Sequence, residues 1–190
     1  MMGCADSLNR QKVGAETVTT NPSYQMVTSI SENSRSEIIL ERKKDTSRVI
    51  KRTAGVAEKL FEVPRAGSSV ATAAASDKYV MAVVPEVDKL VLYDFNTKDL
   101  CSFKPTLRPQ AVYFLSDDEL LVVGESSTLA KYKINEEQLI KVWSCENLEG
   151  AFRVCSDAAG LLYVCTSNKQ KVIYVVSPTG RYNKVLFLLL

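Results

Sequence analysis

An internal repeat constrains this chain more than any other feature. DKYVMAVV at residues 77–84, DELLVVG at 118–124 and GLLYVCT at 160–166 fall at offsets of 41 and 42 residues. A polar turn follows each, and then a second run of alternating character: KLVLYDF at 89–95, TLAKYKI at 128–134 and KVIYVV at 171–176. Tyr93, Tyr132 and Tyr174 sit in the middle of these second runs. Turn residues come next, at 96–98, 135–137 and 177–180, and a short closing strand ends each unit at 100–103, 139–143 and 183–188.

A period of roughly 40–45 residues, made of short strands and tight turns, marks the blades of a β-propeller. The nearly all-apolar first run suits the inner strand of a blade, covered on both faces by neighbouring blades. Alternation in the second suits a strand with one face covered. The expected fold class is all-β: a partial β-propeller of three four-stranded blades at residues 67–106, 107–147 and 148–190. Residues 58–75 are expected to donate strands to a further, incomplete blade. Three blades leave open strand edges and bare apolar faces, so self-association, or a place in a longer propeller, is expected.

Residues 1–66 differ in character. They hold 11 Lys/Arg and 8 Asp/Glu, a net +3, whereas residues 67–190 hold 13 and 14, a net −1. Up to Ser36 no sustained apolar period appears, which reads as a mobile N-terminal tail. Beyond it the sequence admits a short helix over part of residues 36–59, or a leading strand through Leu60, Phe61, Glu62 and Val63. No stretch approaches the ~20 apolar residues of a bilayer span.

The chain has no histidine. That removes Ser-His-Asp and Cys-His pairs, an imidazole base and His-ligated zinc. Scattered Asp and Glu do not make the metal site that a propeller lyase or lactonase requires. No catalytic residue, metal or cofactor is expected, and the chain reads as a non-enzyme. The five cysteines, Cys4, Cys101, Cys145, Cys155 and Cys165, include no C-x-x-C pair. With no apolar signal-like run in residues 1–20, they read as free thiols in a cytoplasmic protein, four of them packing in strands.

Residues 148–187 resemble a blade of the NHL class found in tripartite-motif proteins. The matching residues are FRVCSDAAG at 152–160, LYV at 162–164, VIYVV at 172–176 and SPTG at 177–180. The first two units are looser, since neither has the Gly of the Asp-x-x-Gly turn. WD-type repeats are a related possibility, but no Trp-Asp pair occurs. The resemblance implies a propeller-like binding domain, with a protein partner expected first and RNA as the alternative. RNA is disfavoured by the net −1 of the blades. RING and B-box modules, rich in Cys and His, are absent from the chain, so ligase activity is not expected of it.

Recognition is expected on the loops that follow the first run of each unit, at residues 85–89, 125–128 and 167–171. Glu86, Asp88, Lys89, Glu125, Ser126, Asn168 and Lys169 are the candidate binding residues. In the tail, Asn21, Pro22 and Tyr24 form an N-P-x-Y peptide motif, which presents a tyrosine in a turn to phosphotyrosine-binding domains. A solvated tail with an incidental tyrosine is the plainer reading of so short a motif. Starting from Met2, Gly3 fits an N-myristoylation pattern, with Cys4 beside it for palmitate. Arg42, Lys43, Lys44, Arg48, Lys51 and Arg52 would add attraction to an anionic membrane. A chain initiated at Met2 is predicted to incorporate an azide-tagged myristate, and Gly3→Ala to abolish the label. Labelling that survives Gly3→Ala, or never occurs from that start, removes the anchor.

Overall fold

The computed structural model describes residues 11–12, 16–17, 25–31, 36–43, 45–64, 72–135, 138–167 and 172–186. Two short strands come first, β1 (Gln11–Lys12) and β2 (Glu16–Thr17). Four antiparallel meanders follow in sequence. The first comprises β3 (Gln25–Ser31), β4 (Ser36–Arg42), β5 (Thr46–Thr53) and β6 (Val56–Pro64). The second comprises β7 (Ala73–Ala75), β8 (Tyr79–Val84), β9 (Lys89–Asp94) and β10 (Asp99–Phe103). The third comprises β11 (Pro109–Phe114), β12 (Glu119–Gly124), β13 (Thr128–Asn135) and β14 (Gln138–Cys145). The fourth comprises β15 (Ala151–Ser156), β16 (Leu162–Thr166), β17 (Val172–Val176) and β18 (Tyr182–Leu186).

The leading strands β3, β7, β11 and β15 touch one another in succession, so the sheets radiate from a common axis. At the outer edges β1 pairs with β10 and β2 with β6, making the first two sheets five-stranded. This is the radial arrangement of propeller blades, and the all-β expectation holds. The three expected blades are present, and a fourth precedes them.

Apolar layers hold neighbouring sheets together because each sheet is apolar on the faces it turns to its neighbours. Leu40, Val49 and Phe61 of the first sheet meet Val80, Ala82 and Tyr93 of the second. Met81, Val83 and Leu92 meet Leu120, Val122 and Tyr132 of the third. Leu121, Val123 and Leu129 meet Val164, Val172 and Tyr174 of the fourth. The three repeated tyrosines are 1–3% exposed, so each is part of an intersheet layer rather than a surface feature. Phe61 stacks on Tyr93 at 5.9 Å between ring centroids, and Tyr174 meets Tyr182 edge-on at 5.5 Å. Trp143 on β14 reaches across to the fourth sheet and donates its indole N–H to the Pro178 carbonyl at 2.9 Å. Gly180 makes room for it: φ is +84°, and a Cβ there would lie 2.9 Å from the indole ring.

Several expectations are corrected. Residues 36–64 form strands, not a partial helix, because Ile38 and Leu40, Val49, and Phe61 and Val63 all turn toward the second sheet. The leading-strand alternative through Leu60 to Val63 is realised as β6. Within the stretch read as a tail, β3 pairs antiparallel with β4. The apolar run that opens each repeat is the second strand from the axis, not the innermost. The innermost strands precede it and carry the small residues Ala73, Ala74, Ala111 and Ala151 where the sheets converge.

Among the described residues no apolar layer joins the fourth sheet to the first, so the four sheets form an open arc. Leu129 on β13 and Ile173 on β17 occupy equivalent register positions, opposite Val123 and Cys165 respectively. Leu129→Ala is therefore predicted to cost about 2–5 kcal/mol by urea unfolding, as for a buried leucine. Ile173→Ala, on the uncovered face, should cost less than ~1 kcal/mol at low protein concentration. Equal losses would show that the arc is closed.

Candidate functional site: the loop face

The turns between the second and third strands of each sheet lie on one side of the arc, where the connectors between sheets run over them. In the second sheet Val84 leads into a single 3₁₀ turn at Pro85–Val87. Proline presets the first φ of that turn. Asp88 closes it in the left-handed region at φ 53°, with its N–H donating to the Pro85 carbonyl at 3.2 Å. In the third sheet Glu125, Ser126 and Ser127 form the equivalent turn, with Ser127 at φ 57°.

Backbone contacts tie the connectors to the turns beside them. The Glu125 N–H donates to the Arg108 carbonyl at 3.1 Å. Leu148 N–H donates to Ser127 at 2.8 Å, and Ser167 N–H to Gly150 at 2.8 Å. Gly124 permits the first of these approaches, since a Cβ there would meet Leu107 Cδ1 at 3.0 Å and the Arg108 carbonyl at 3.3 Å. Arg108 then bridges the two turns. Its Nε lies 3.0 Å from Asp88 Oδ1, and a terminal nitrogen lies 2.8 Å from Glu125 Oε2. All three side chains are about half exposed, so each pair contributes only ~0.2–1 kcal/mol and is weakened by salt. The described charged side chains here are Asp88, Glu125, Glu146 and Glu149 against Lys89, Lys104 and Arg108, which leans acidic.

The structure thus brings Asp88, Lys89, Glu125 and Ser126 to one face. Glu86 belongs to the 3₁₀ turn. Asn168 and Lys169 lie outside the described residues, as do Gly3, Cys4, Asn21, Pro22 and Tyr24. Arg108 was not foreseen: it lies far from both turns in sequence, and no motif marks it.

The opposite side of the arc carries the turns between first and second strands, and its acidic residues are occupied in shaping them. Ser76 Oγ accepts from the N–H groups of Lys78 and Tyr79, and Ser116 Oγ donates to Asp118 at 2.8 Å. That bond, with Lys133 beside it, holds the Asp118 carboxyl below its ordinary range. Burial alone would raise Asp157, but N–H groups of Leu161 and Ala159 at 2.9 Å and the Tyr163 hydroxyl at 3.0 Å hold it below. The NHL-like Asp-x-x-Gly element is therefore a self-satisfied turn. Likewise Ser177 Oγ accepts from Arg181 N–H at 3.1 Å, and the Gly180 N–H donates to the Ser177 carbonyl.

Among the described residues no group of three or more Cys, Asp or Glu side chains is placed to hold a metal. No described helix is long and apolar enough to cross a membrane. The basic residues expected to face lipid are partly committed elsewhere. Arg48 pairs with Glu62 at 2.9 Å and Glu41 at 3.6 Å, Arg52 with Glu37 at 3.3 Å, and Lys51 lies 4.4 Å from the Phe95 ring centroid. Cys101 and Cys145 pack as expected, and burial pushes the Cys145 thiol up to about 11. Cys155 and Cys165 depart from that expectation and are exposed, because they lie on the uncovered face of the fourth sheet.

No protein-family profile matches the chain. No curated protein matches it either. Solved structures do. The WD40 repeats of RRP9 superpose with a TM-score of 0.57 at 13% identity, covering 95% of this chain and 56% of that one. The β-propeller domain of Cps50 (Swd1) from Myceliophthora thermophila gives 0.56 at 14%, covering 80% and 55%. A protein described as a candidate 6-phosphogluconolactonase from Bacteroides fragilis gives 0.59 at 14%, covering 85% and 56%. At these identities the likeness establishes the fold: the chain is a β-propeller-type protein. It spans little more than half the length of each of these structures.

Removing the Arg108 side chain should loosen the loops without touching the sheets. Arg108→Ala is predicted to speed amide exchange at residues 88–89 and 125–127 and leave β8 and β12 protected. High salt should mimic it in the parent chain. Unchanged exchange at both turns would show that the bridge does not order them.

Proposed function

We propose that the chain is a non-catalytic binding module that recognises a protein partner on the loop face around Arg108. The carrying observation is the ion-pair bridge from Arg108 to Asp88 and Glu125, which joins the turns of two sheets into one surface on a rigid base. The acidic lean of that surface suits a basic segment of a protein and opposes a nucleic-acid backbone, which needs concentrated Lys and Arg. The absence of histidine from the sequence also weighs against metal-dependent propeller chemistry. The lactonase description belongs to a relative sharing the fold alone. The finer reading, an adaptor or fragment related to tripartite-motif NHL proteins, is supported by residues 152–180.

Charge reversal at the loop face tests this. The Asp88→Lys, Glu125→Lys double variant should lose at least ~10-fold of the captured protein partner, the loss expected for ~1.4 kcal/mol. Undiminished capture by the variant would move the site elsewhere. RNA binding by the parent chain that falls with salt and maps to the blades would replace the protein reading.

A further inference from the structure

The outer edges of the sheets show what can be added to them. The first two sheets each carry a fifth strand there: β2 runs antiparallel on β6, and β1 on β10. In both additions the register sets opposite charges across from each other, Glu16 at Lys59 and Lys12 at Asp99. Opposite charges so placed favour strand pairing, and like charges oppose it. The third sheet has no fifth strand, and β14 is its outer edge. A row of its backbone N–H and C=O groups is therefore turned outward without a strand to meet it. Ile140 is 45% exposed and Val142 51%, two of the four exposed large apolar side chains among the described residues. The described side chains of β18, the outer edge of the fourth sheet, include none. Register puts Ile140 opposite Lys133 and Trp143 opposite Lys131, on the face turned to the fourth sheet. Lys141 stands opposite Tyr132, on the other face. A bulge leaves Val142 without a partner on β13, so the regular part of the edge is Gln138–Lys141.

We propose that β14 is a strand-addition site, at which an extended acidic segment of a protein partner pairs with Gln138–Lys141. This inference is independent of the loop-face reading. The occupant's charge follows from the other two edges, where the added strand sets the opposite charge against the edge residue. Lys141 is exposed and is the only charged residue of β14, so Glu or Asp is its match. Alternation follows from the pleat: apolar residues of the partner lie beside Ile140 and acidic ones beside Lys141. Main-chain hydrogen bonds supply the affinity of such an addition, and the side chains its specificity. A second copy of β14 is the poorer occupant, because the strand carries no acidic residue to set against Lys141.

The probe is a short blocked peptide of alternating valine and glutamate, titrated into the full chain. Trp143, the only tryptophan, lies on β14 and reports binding by its fluorescence. A saturable change is expected, with amide exchange slowed at residues 138–141 and unaltered at 88–89 and 125–127. The valine–lysine analogue should bind about 5-fold more weakly, and Lys141→Glu should reverse that order. Since Lys141 is exposed, this variant should unfold as the parent does. Of two peptides N-methylated on every valine or on every glutamate, one should fail, because only one edge of an added strand faces β14. The Asp88→Lys, Glu125→Lys double variant should bind the peptide like the parent, whatever becomes of the loop-face partner. No saturable response overturns the proposal. So does an unchanged preference in Lys141→Glu, or equal binding of both N-methylated peptides. A mass that climbs above 21.0 kDa with concentration, and holds at that value in Ile140→Glu, gives the edge to a second copy instead.

Discussion

Face-to-face contact between sheets that diverge from one axis dictates the rest of this molecule. Near the axis the gap is narrow, and Ala73, Ala74, Ala111 and Ala151 fill it. Two or three strands further out the gap widens, and Tyr93, Tyr132, Tyr174 and Trp143 occupy it. Each fully buried Val, Leu or Tyr in such a layer is favourable by about 1.5–3 kcal/mol before the entropy of ordering is set against it. The wedge also explains the mostly apolar β8 and β12, which face a neighbour on either side.

Because these layers hold the strands, the loops are free to carry recognition. The two ends of the arc use that freedom differently. On one side Ser76, Ser116 and Asp157 spend their polar atoms inside their own turns, so the acidic residues there are architecture. On the other, the connectors lie over the hairpin turns and bring Arg108, Asp88 and Glu125 together from separate sheets. The second arrangement depends on sheet order as well as local sequence, and side chains there are left facing outward.

The legible part of the fold was the part with undisturbed periodicity. In the second to fourth sheets the apolar runs and the central tyrosine recur with almost constant spacing, so the blades could be read directly. The first sheet was hidden. Glu37 and Glu41 flank Ile38, Ile39 and Leu40, and bulges between Val27 and Ser29 and between Val49 and Ile50 shift the alternation. Its third strand also lacks the tyrosine, and Phe61 on β6 fills the layer instead. The loop turns were found by equivalence between units. Arg108 was beyond reach, because nothing in a one-dimensional pattern says that a connector will fold over two hairpins.

The two short strands at the start of the chain bear on how the molecule assembles. Every four-stranded meander pairs each strand with its sequence neighbour, so the blades need only local turns to form. The exceptions are β1, which joins Gln11 to Leu100 on the outer edge of the second sheet, and β2, which joins Glu16 to Lys59 on the first. Closing those long loops is entropically slow and is rewarded only once both target edges exist. β1 and β2 are thus made before the edges they join but are placed after them in folding, as a clasp across two blades already standing.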